Sequence, residues 1–193
     1  MAMLSRDAIQ SIGFKFVGEN VQISDRVAFY GVHRIKIGNN VRVDDFCVLS
    51  AGEGGIEIGK YVHIAAGSTL MGAGQITLSD FSGLSSRVSI YSSTDDYSGA
   101  SLTNPTVPDK FKKVTHAPVT LGRHTIVGSG SVILPGISIG EGVAIGALSL
   151  VTKDCEKFGI YAGNPAKRLK DRKRDLLDIE ANFLKELNEE YGL

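Results

Sequence analysis

Among its 193 residues the chain has no tryptophan, two cysteines, five prolines and four histidines. Each scarcity removes a class of protein. Cys47 and Cys155 are too few for a disulfide-stapled scaffold and lack the C-x-x-C spacing of a metal or redox motif. They read as reduced, structural thiols. Lys plus Arg and Asp plus Glu stand at 21 each, a formal net charge of zero. No overall electrostatic case for nucleic acid or an anionic membrane surface follows. No apolar run is long enough to span a bilayer, and residues 1–10 hold no apolar signal core. The expectation is a soluble, cytoplasmic protein. Its length suits one domain with small appendages and buries a core without staples. What the chain has in quantity is glycine, 23 residues, which points to an unusual architecture.

An aliphatic residue returns at every sixth position. Ile37, Val43 and Leu49 form one set; Ile58, Ile64 and Leu70 a second; Leu78, Leu84 and Ile90 a third. Leu121, Val127, Ile133, Ile139, Ile145 and Val151 form the longest. A small or acidic residue usually follows directly, as at Gly38, Asp44, Gly122 and Gly146. A small or β-branched residue often stands four places on, as at Val41, Val62, Ser68, Val88, Thr125, Ser131, Val143 and Ser149. Neither an amphipathic helix nor a hairpin sheet has this period. A coiled parallel sheet does: each hexad gives one short strand and one corner, and stacked coils bury a continuous aliphatic column. The fold class is therefore mainly β, a left-handed parallel β-helix of hexapeptide repeats.

The pattern also divides the chain. Residues 5–12 read as a short helix, N-capped by Ser5 and stopped by Gly13. Coils run from about Phe16 to Tyr91. Residues 92–117 lose the period, are polar and proline-bearing, and form a long loop insertion of the kind that carries function. Coils resume at Val119 and end near Thr152. Gly163-Asn164-Pro165 is a turn. The β-helix is assigned to residues 1–165 and a helical tail to 166–193, with Leu176, Ile179, Phe183 and Leu187 in one stripe expected to cap the open end.

With the hexads, the loop, Ala117-Pro118-Val119, Val151-Thr152-Lys153-Asp154 and Ala162-Gly163-Asn164-Pro165-Ala166-Lys167 in view, the chain resembles the hexapeptide-repeat acyltransferases. It is most similar to the maltose and galactoside acetyltransferases and their sugar-modifying relatives in surface polysaccharide synthesis. The resemblance covers nearly the whole chain, and the tail motif is more specific than the hexads. It implies a homotrimer with sites between subunits, acetyl-CoA as donor, no metal, and a sugar or nucleotide-sugar acceptor. By motif position, Ser129 and Ala147 would line the pantetheine arm. Thr152, Lys153, Lys167 and Lys170 would sit near the nucleotide end. The tail adds its own argument. Lys167, Arg168, Lys170, Arg172, Lys173 and Arg174 crowd the start of the expected helix and Glu186, Glu189 and Glu190 its end. That order opposes the helix macrodipole at a cost of about a few tenths of a kcal/mol per residue, and phosphate binding would explain its retention.

The resemblance breaks on the acceptor side. Relatives that acetylate hydroxyls carry a histidine just before the loop as general base; here Asp95 stands in its place. The family's tryptophan early in the following coil is replaced, at Ile126. A carboxylate with an ordinary pKa near 4 is a weak base for a hydroxyl, whereas an amine needs little help once deprotonated. The favoured reaction is N-acetylation of a nucleotide-linked amino sugar, with Asp95 or Asp96 binding the acceptor. The alternative is O-acetylation, with Asp95 or His116, at the end of the loop, as substitute base. His63 and His124 fall within hexads and His33 lies early; each reads as structural. Two other readings are weaker. A zinc hydratase resembling the γ-carbonic anhydrases needs three converging histidines, which these spacings do not suggest. A non-catalytic scaffold has no use for a CoA-binding tail.

Overall fold

A computed structural model describes residues 2–191. Each hexad forms a short strand and a corner, and three strands make one coil. The strands stack into three parallel faces. The first face runs from Phe16–Val17 through Ile35–Ile37, Ile56–Ile58, Ile76–Leu78 and Val119–Leu121 to Ser138–Ile139. The second runs from Gln22–Ile23 through Arg42–Val43, His63–Ile64, Gly83–Leu84 and Ile126–Val127 to Ala144–Ile145 and Gly159–Gly163. The third runs from Ala28–Tyr30 to Leu150–Val151. This is the parallel β-helix that the period demands.

The aliphatic hexad positions lie in register inside it. Ile37, Ile58, Leu78, Leu121 and Ile139 pair along the first face. Val43, Ile64, Leu84, Val127 and Ile145 pair along the second. Every hexad aliphatic is at most 3% exposed, and the residues four places on are buried with them. Two buried corner hydroxyls are satisfied by the next coil: Ser68 Oγ donates to Ser85 O at 3.1 Å and Ser131 Oγ to Gly146 O at 3.0 Å. Cys47 and Cys155 are buried free thiols, and burial pushes Cys155 up to about 11.

Helix α1 (Arg6–Ser11) is shorter than expected by a residue at its end; Ser5 Oγ accepts from Ala8 N–H at 3.2 Å. Its Ile9 is buried in the core cluster, and Leu4 N–H bonds Ile23 O at 2.8 Å, so this segment covers the first coil. The tail differs more. Residues 166–171 are not helical: Ala166–Asp171 is a strand antiparallel to Gly159–Gly163. The last strand of the second face leaves a row of unpaired backbone groups, and folding back satisfies them. Helix α2 begins only at Asp175 and runs to Tyr191. The conflict with the macrodipole at the start of the helix disappears with this correction, while the glutamates at its end remain. The cations precede the helix, and its first turn carries Asp175 and Asp178, the favourable sign.

Nor does α2 cap the open end. It returns along the corner between the first and second faces, where Tyr61, Phe81 and His124 stack on successive coils at 4.9 and 5.1 Å between ring centroids. Phe183 packs edge-on against Tyr61 at 5.3 Å. Glu180, 7% exposed, accepts from His124 Nε2 at 2.8 Å and pairs with Arg123. The expected stripe is therefore rotated: Ile179 is 65% exposed and Glu180 takes the inward place. No helix among the described residues is long and apolar enough to cross a membrane.

The loop leaves the stack at Ser92 and rejoins it at Ala117, whose N–H bonds Ser92 O at 3.0 Å. The coils on either side pair across it without a gap, Ile76 with Val119 and Ile90 with Ile133.

Candidate active site

At the corner between the second and third faces, the third residue after each inward aliphatic holds a positive φ: Phe46, Gly67, Arg87, Gly130 and Leu148. The residues before it are small in the later coils, and a groove of about 510 Å³ runs over them. Its lining includes Ala66, Ser86, Arg87, Ser129, Gly130, Ala147 and Leu148. Ser129 and Ala147 thus come together as neighbours on successive coils, with Leu148 N–H on Ser129 O at 2.9 Å. A floor without long side chains suits a thin, flexible ligand lying parallel to the coil axis.

The groove leads to the terminal hairpin. Ala162 packs over Gly146, and Gly163 N–H bonds Ser149 Oγ at 3.1 Å. Lys167 pairs in register with Ala162 and Lys170 with Ile160. Both lysines are exposed, and among the described residues neither forms an ion pair. The neighbouring arginines are engaged. Arg168 binds Glu156 at 3.1 Å and Asp171 at 2.7 Å. Arg172 donates to His124 O at 2.8 Å and Gly142 O at 3.1 Å. Arg174 lies 4.7 Å over the Phe158 ring. Of the basic cluster read from the sequence, Lys167, Lys170 and Lys173 keep open cationic heads among the described residues, and the first two lie on the hairpin. Thr152 and Lys153 are also exposed, but they follow Leu150–Val151 and occupy the next corner, between the third and first faces. One chain therefore splits the expected donor residues between two corners.

The acceptor candidates separate as well. Ser93–Thr94 pairs antiparallel with Thr115–His116 at the base of the loop. Ser93 Oγ accepts from Ala73 N–H at 2.7 Å and lies 2.7 Å from His116 Nδ1. Asp95 follows directly and lines two clefts: one of about 350 Å³ with Tyr91, Val132, Leu134 and Pro135, and one of about 130 Å³ with Tyr97 and Thr103. His116 opens instead on a cleft with Lys112 and Val114. Asp96 is occupied by its own loop. It accepts from Ser98 N–H at 2.8 Å and Ser101 Oγ at 3.1 Å. The Ser98 bonds first, then Ser101 and the nearby Lys113, lower its pKa to about 2. A carboxylate so stabilised is a poor proton acceptor. Of the three, Asp95 has the clearest cleft and Asp96 reads as a loop-ordering residue.

Arg87 was not singled out in the sequence, although the signal was there. It fills the positive-φ slot that glycine fills in the coils on either side, Gly67 and Gly130, and laying the hexads in columns exposes it. Among the described residues no three His, Cys, Asp or Glu side chains group as a metal site.

Similarity to known proteins agrees with this geometry. A model of the bacterial transferase hexapeptide (six repeats) family matches residues 118–153. Over 183 residues, 95% of either chain, the sequence is 51% identical to a dTDP-4-amino-4,6-dideoxy-D-glucose acyltransferase of Escherichia coli. The crystal structure of AntD, an N-acyltransferase from Bacillus cereus in complex with dTDP and 3-hydroxybutyryl-CoA, superimposes with a TM-score of 0.93 at 43% identity, covering 96% of this chain and 98% of that one. A maltose O-acetyltransferase from Clostridium difficile 630 shares the fold alone, with a TM-score of 0.60 at 22% identity, covering 88% of this chain and 75% of that one. Stacked hexads that match the transferase family define the class, a transferase built on a β-helix. Full-length identity narrows this further, and the chain belongs to the hexapeptide-repeat acyltransferases.

Proposed function

We propose that the protein transfers an acyl group, acetyl in the first instance, from coenzyme A to the amine of a dTDP-linked 4-amino-4,6-dideoxyglucose. The observation that carries this reading is the 51% identity across 95% of the chain to an acyltransferase of that sugar. AntD structures with dTDP-4-amino-4,6-dideoxyglucose and coenzyme A bound support it, as does the carboxylate of Asp95 where hydroxyl-directed relatives have a histidine. In the reaction the amine nitrogen bonds the thioester carbonyl carbon, the carbon–sulfur bond breaks, and the thiol leaves. Asp95 binds the acceptor's ammonium form. Ser129 and Ala147 floor the pantetheine arm, and Lys167 and Lys170 meet the phosphates, with Thr152 and Lys153 beside the nucleotide. A homotrimer follows from this reading, because the two corners that carry these residues come together only when one subunit faces another, and a nucleotide-sugar acceptor suits a cytoplasmic enzyme. The product suits a route to surface polysaccharide.

The test is incubation of the purified protein with acetyl-CoA and dTDP-4-amino-4,6-dideoxyglucose, with dTDP-glucose as the hydroxyl-only control. Thiol release and product mass are followed. An added acetyl on the amino sugar alone supports the proposal. Acetylation of dTDP-glucose would replace it with the hydroxyl reading and move attention to His116.

A further inference from the structure

The groove between the second and third faces ends at Ala66, and beside that end stands a cluster the reading above leaves unused. His63 Nε2 lies 2.8 Å from Asp44 Oδ2. Arg42 Nε lies 2.7 Å from the other oxygen, Asp44 Oδ1. An ionised carboxylate only accepts hydrogen bonds, so Nε2 carries the proton and Nδ1 is the basic nitrogen. Among the described residues nothing is bonded to Nδ1. The Asp44 side chain is 11% exposed and the imidazole 52%. Burial by itself would raise the Asp44 pKa, but the bonds from Arg42 and His63 outweigh it and hold the carboxyl below its ordinary range. An imidazole aimed by a carboxylate, itself fixed by a third group, with its second nitrogen open, is the arrangement of an oriented base.

Its place in the fold gives it something to act on. In the next coil the residue paired with His63 is Gly83, where an added Cβ would meet nothing within 4 Å. Open space therefore adjoins the imidazole. Ala65 and Ala66 follow it in its own coil. Along the groove the corner column runs Ala66, Ser86, Ser129, Ala147 and then the hairpin at Ala162. That is four coil steps, about 19 Å at ~4.8 Å each, on the order of an extended pantetheine arm. A coenzyme A with phosphates at Lys167 brings its thioester to the level of His63.

Resting on the transferase reading, we propose that His63 takes the proton from the acceptor's ammonium and that Asp44 is its positioning residue. The balance is simple. One ammonium proton passes to His63 Nδ1 and the freed amine attacks the thioester carbonyl. The nitrogen–carbon bond forms and the carbon–sulfur bond breaks. The second nitrogen-bound proton goes to the departing thiolate, and His63 returns its own to solvent. Division of labour with Asp95 is built in, since a carboxylate holds an ammonium well and deprotonates it poorly, whereas imidazole works near neutrality. Among the described residues, Asp44 and Arg42 from the preceding coil are the charged groups in hydrogen-bonded contact with this imidazole cluster. Gly83, Ala65 and Ala66 bring none, and Arg87 is the charged residue lining the groove beyond.

The experiment is steady-state kinetics of the full-length protein with acetyl-CoA and dTDP-4-amino-4,6-dideoxyglucose, from about pH 5.5 to 9. His63→Gln should lower kcat by roughly 10²- to 10⁴-fold. Its residual rate should rise with hydroxide, while coenzyme A binding by calorimetry and the thermal midpoint match the wild type. Asp44→Asn should lower kcat roughly 10-fold or more while coenzyme A binding and the thermal midpoint stay at the wild-type values, because the imidazole loses the acceptor that fixes its ring. A His63→Gln enzyme with the wild-type rate, or a slower one with the wild-type pH profile, overturns the assignment. If His63→Gln fails to fold, the split in Asp44→Asn between a lowered kcat and unchanged coenzyme A binding decides alone. A wild-type protein that leaves this sugar unacylated overturns the transferase reading itself, a different failure from an active enzyme indifferent to His63.

Discussion

Glycine is the residue on which the coils turn, and two glycines show how local its role is. A Cβ at Gly128 would lie 2.4 Å from Ala147 N, a backbone atom that cannot move without shifting the next coil. At Gly83 it would meet nothing within 4 Å. Gly128→Ala should therefore cost about 1–3 kcal/mol, as overpacking does, and Gly83→Ala should change stability by less than about 0.5 kcal/mol; paired denaturant titrations check both. For the acceptor, Asp95→Asn removes a charge-assisted bond of about 1.5–3 kcal/mol, so kcat/KM for the amino sugar should fall roughly 10- to 100-fold. Asp96→Asn should lose much less, since that carboxylate already serves Ser98 and Ser101. The sequence set Asp95 at the place of the missing histidine but left Asp96 beside it as a second candidate. What separates them is a turn closed by Ser98 and Ser101, and no period announces such a turn.

Helix α2 is the element least well read from the sequence. Its amphipathic stripe was visible, but its start and its docking place were not, because both depend on partners far along the chain. Residues 166–171 become a strand only because the second face ends beside them. Glu180 turns inward only because Arg123 and His124 wait there. The docking has a pH signature. Burial first, then Arg123 and Arg172, hold His124 below its ordinary value of 6.5. A histidine depressed in the fold takes up protons more readily when unfolded. Its contribution is therefore complete above pH 6.5 and is lost as pH falls through that value toward the folded pKa. The thermal midpoint should decline below pH 6.5, and His124→Gln should flatten that decline. Glu180→Ala, which leaves Arg123 and the half-buried His124 without their carboxylate, should cost about 1–3 kcal/mol, seen as loss of α2 protection in hydrogen exchange before the coils open.

For the whole molecule the sequence was far more explicit. Fifteen aliphatic positions at period six fixed the solenoid, its register and the site of its interruption, since in a stacked fold each repeat meets only its neighbours. Ser129 and Ala147 were placed by the family resemblance and not by the repeat, and the fold sets them side by side on successive coils. Thr152 and Lys153 were assigned by motif, and their separation from the groove by a corner came only with three dimensions. If both corners serve one donor across a subunit boundary, light scattering should report a trimer. Lys167→Ala and Lys170→Ala should each weaken coenzyme A binding severalfold, on the order of 1 kcal/mol, with a shallower salt dependence in calorimetry.

The hydrogen bond from Ala117 to Ser92 closes the neck of the long loop, while the coils above and below it pair as though the loop were not there. The molecule is therefore a fixed chassis with an exchangeable cassette. The loop can change in length or sequence without disturbing the register of the coils that carry it.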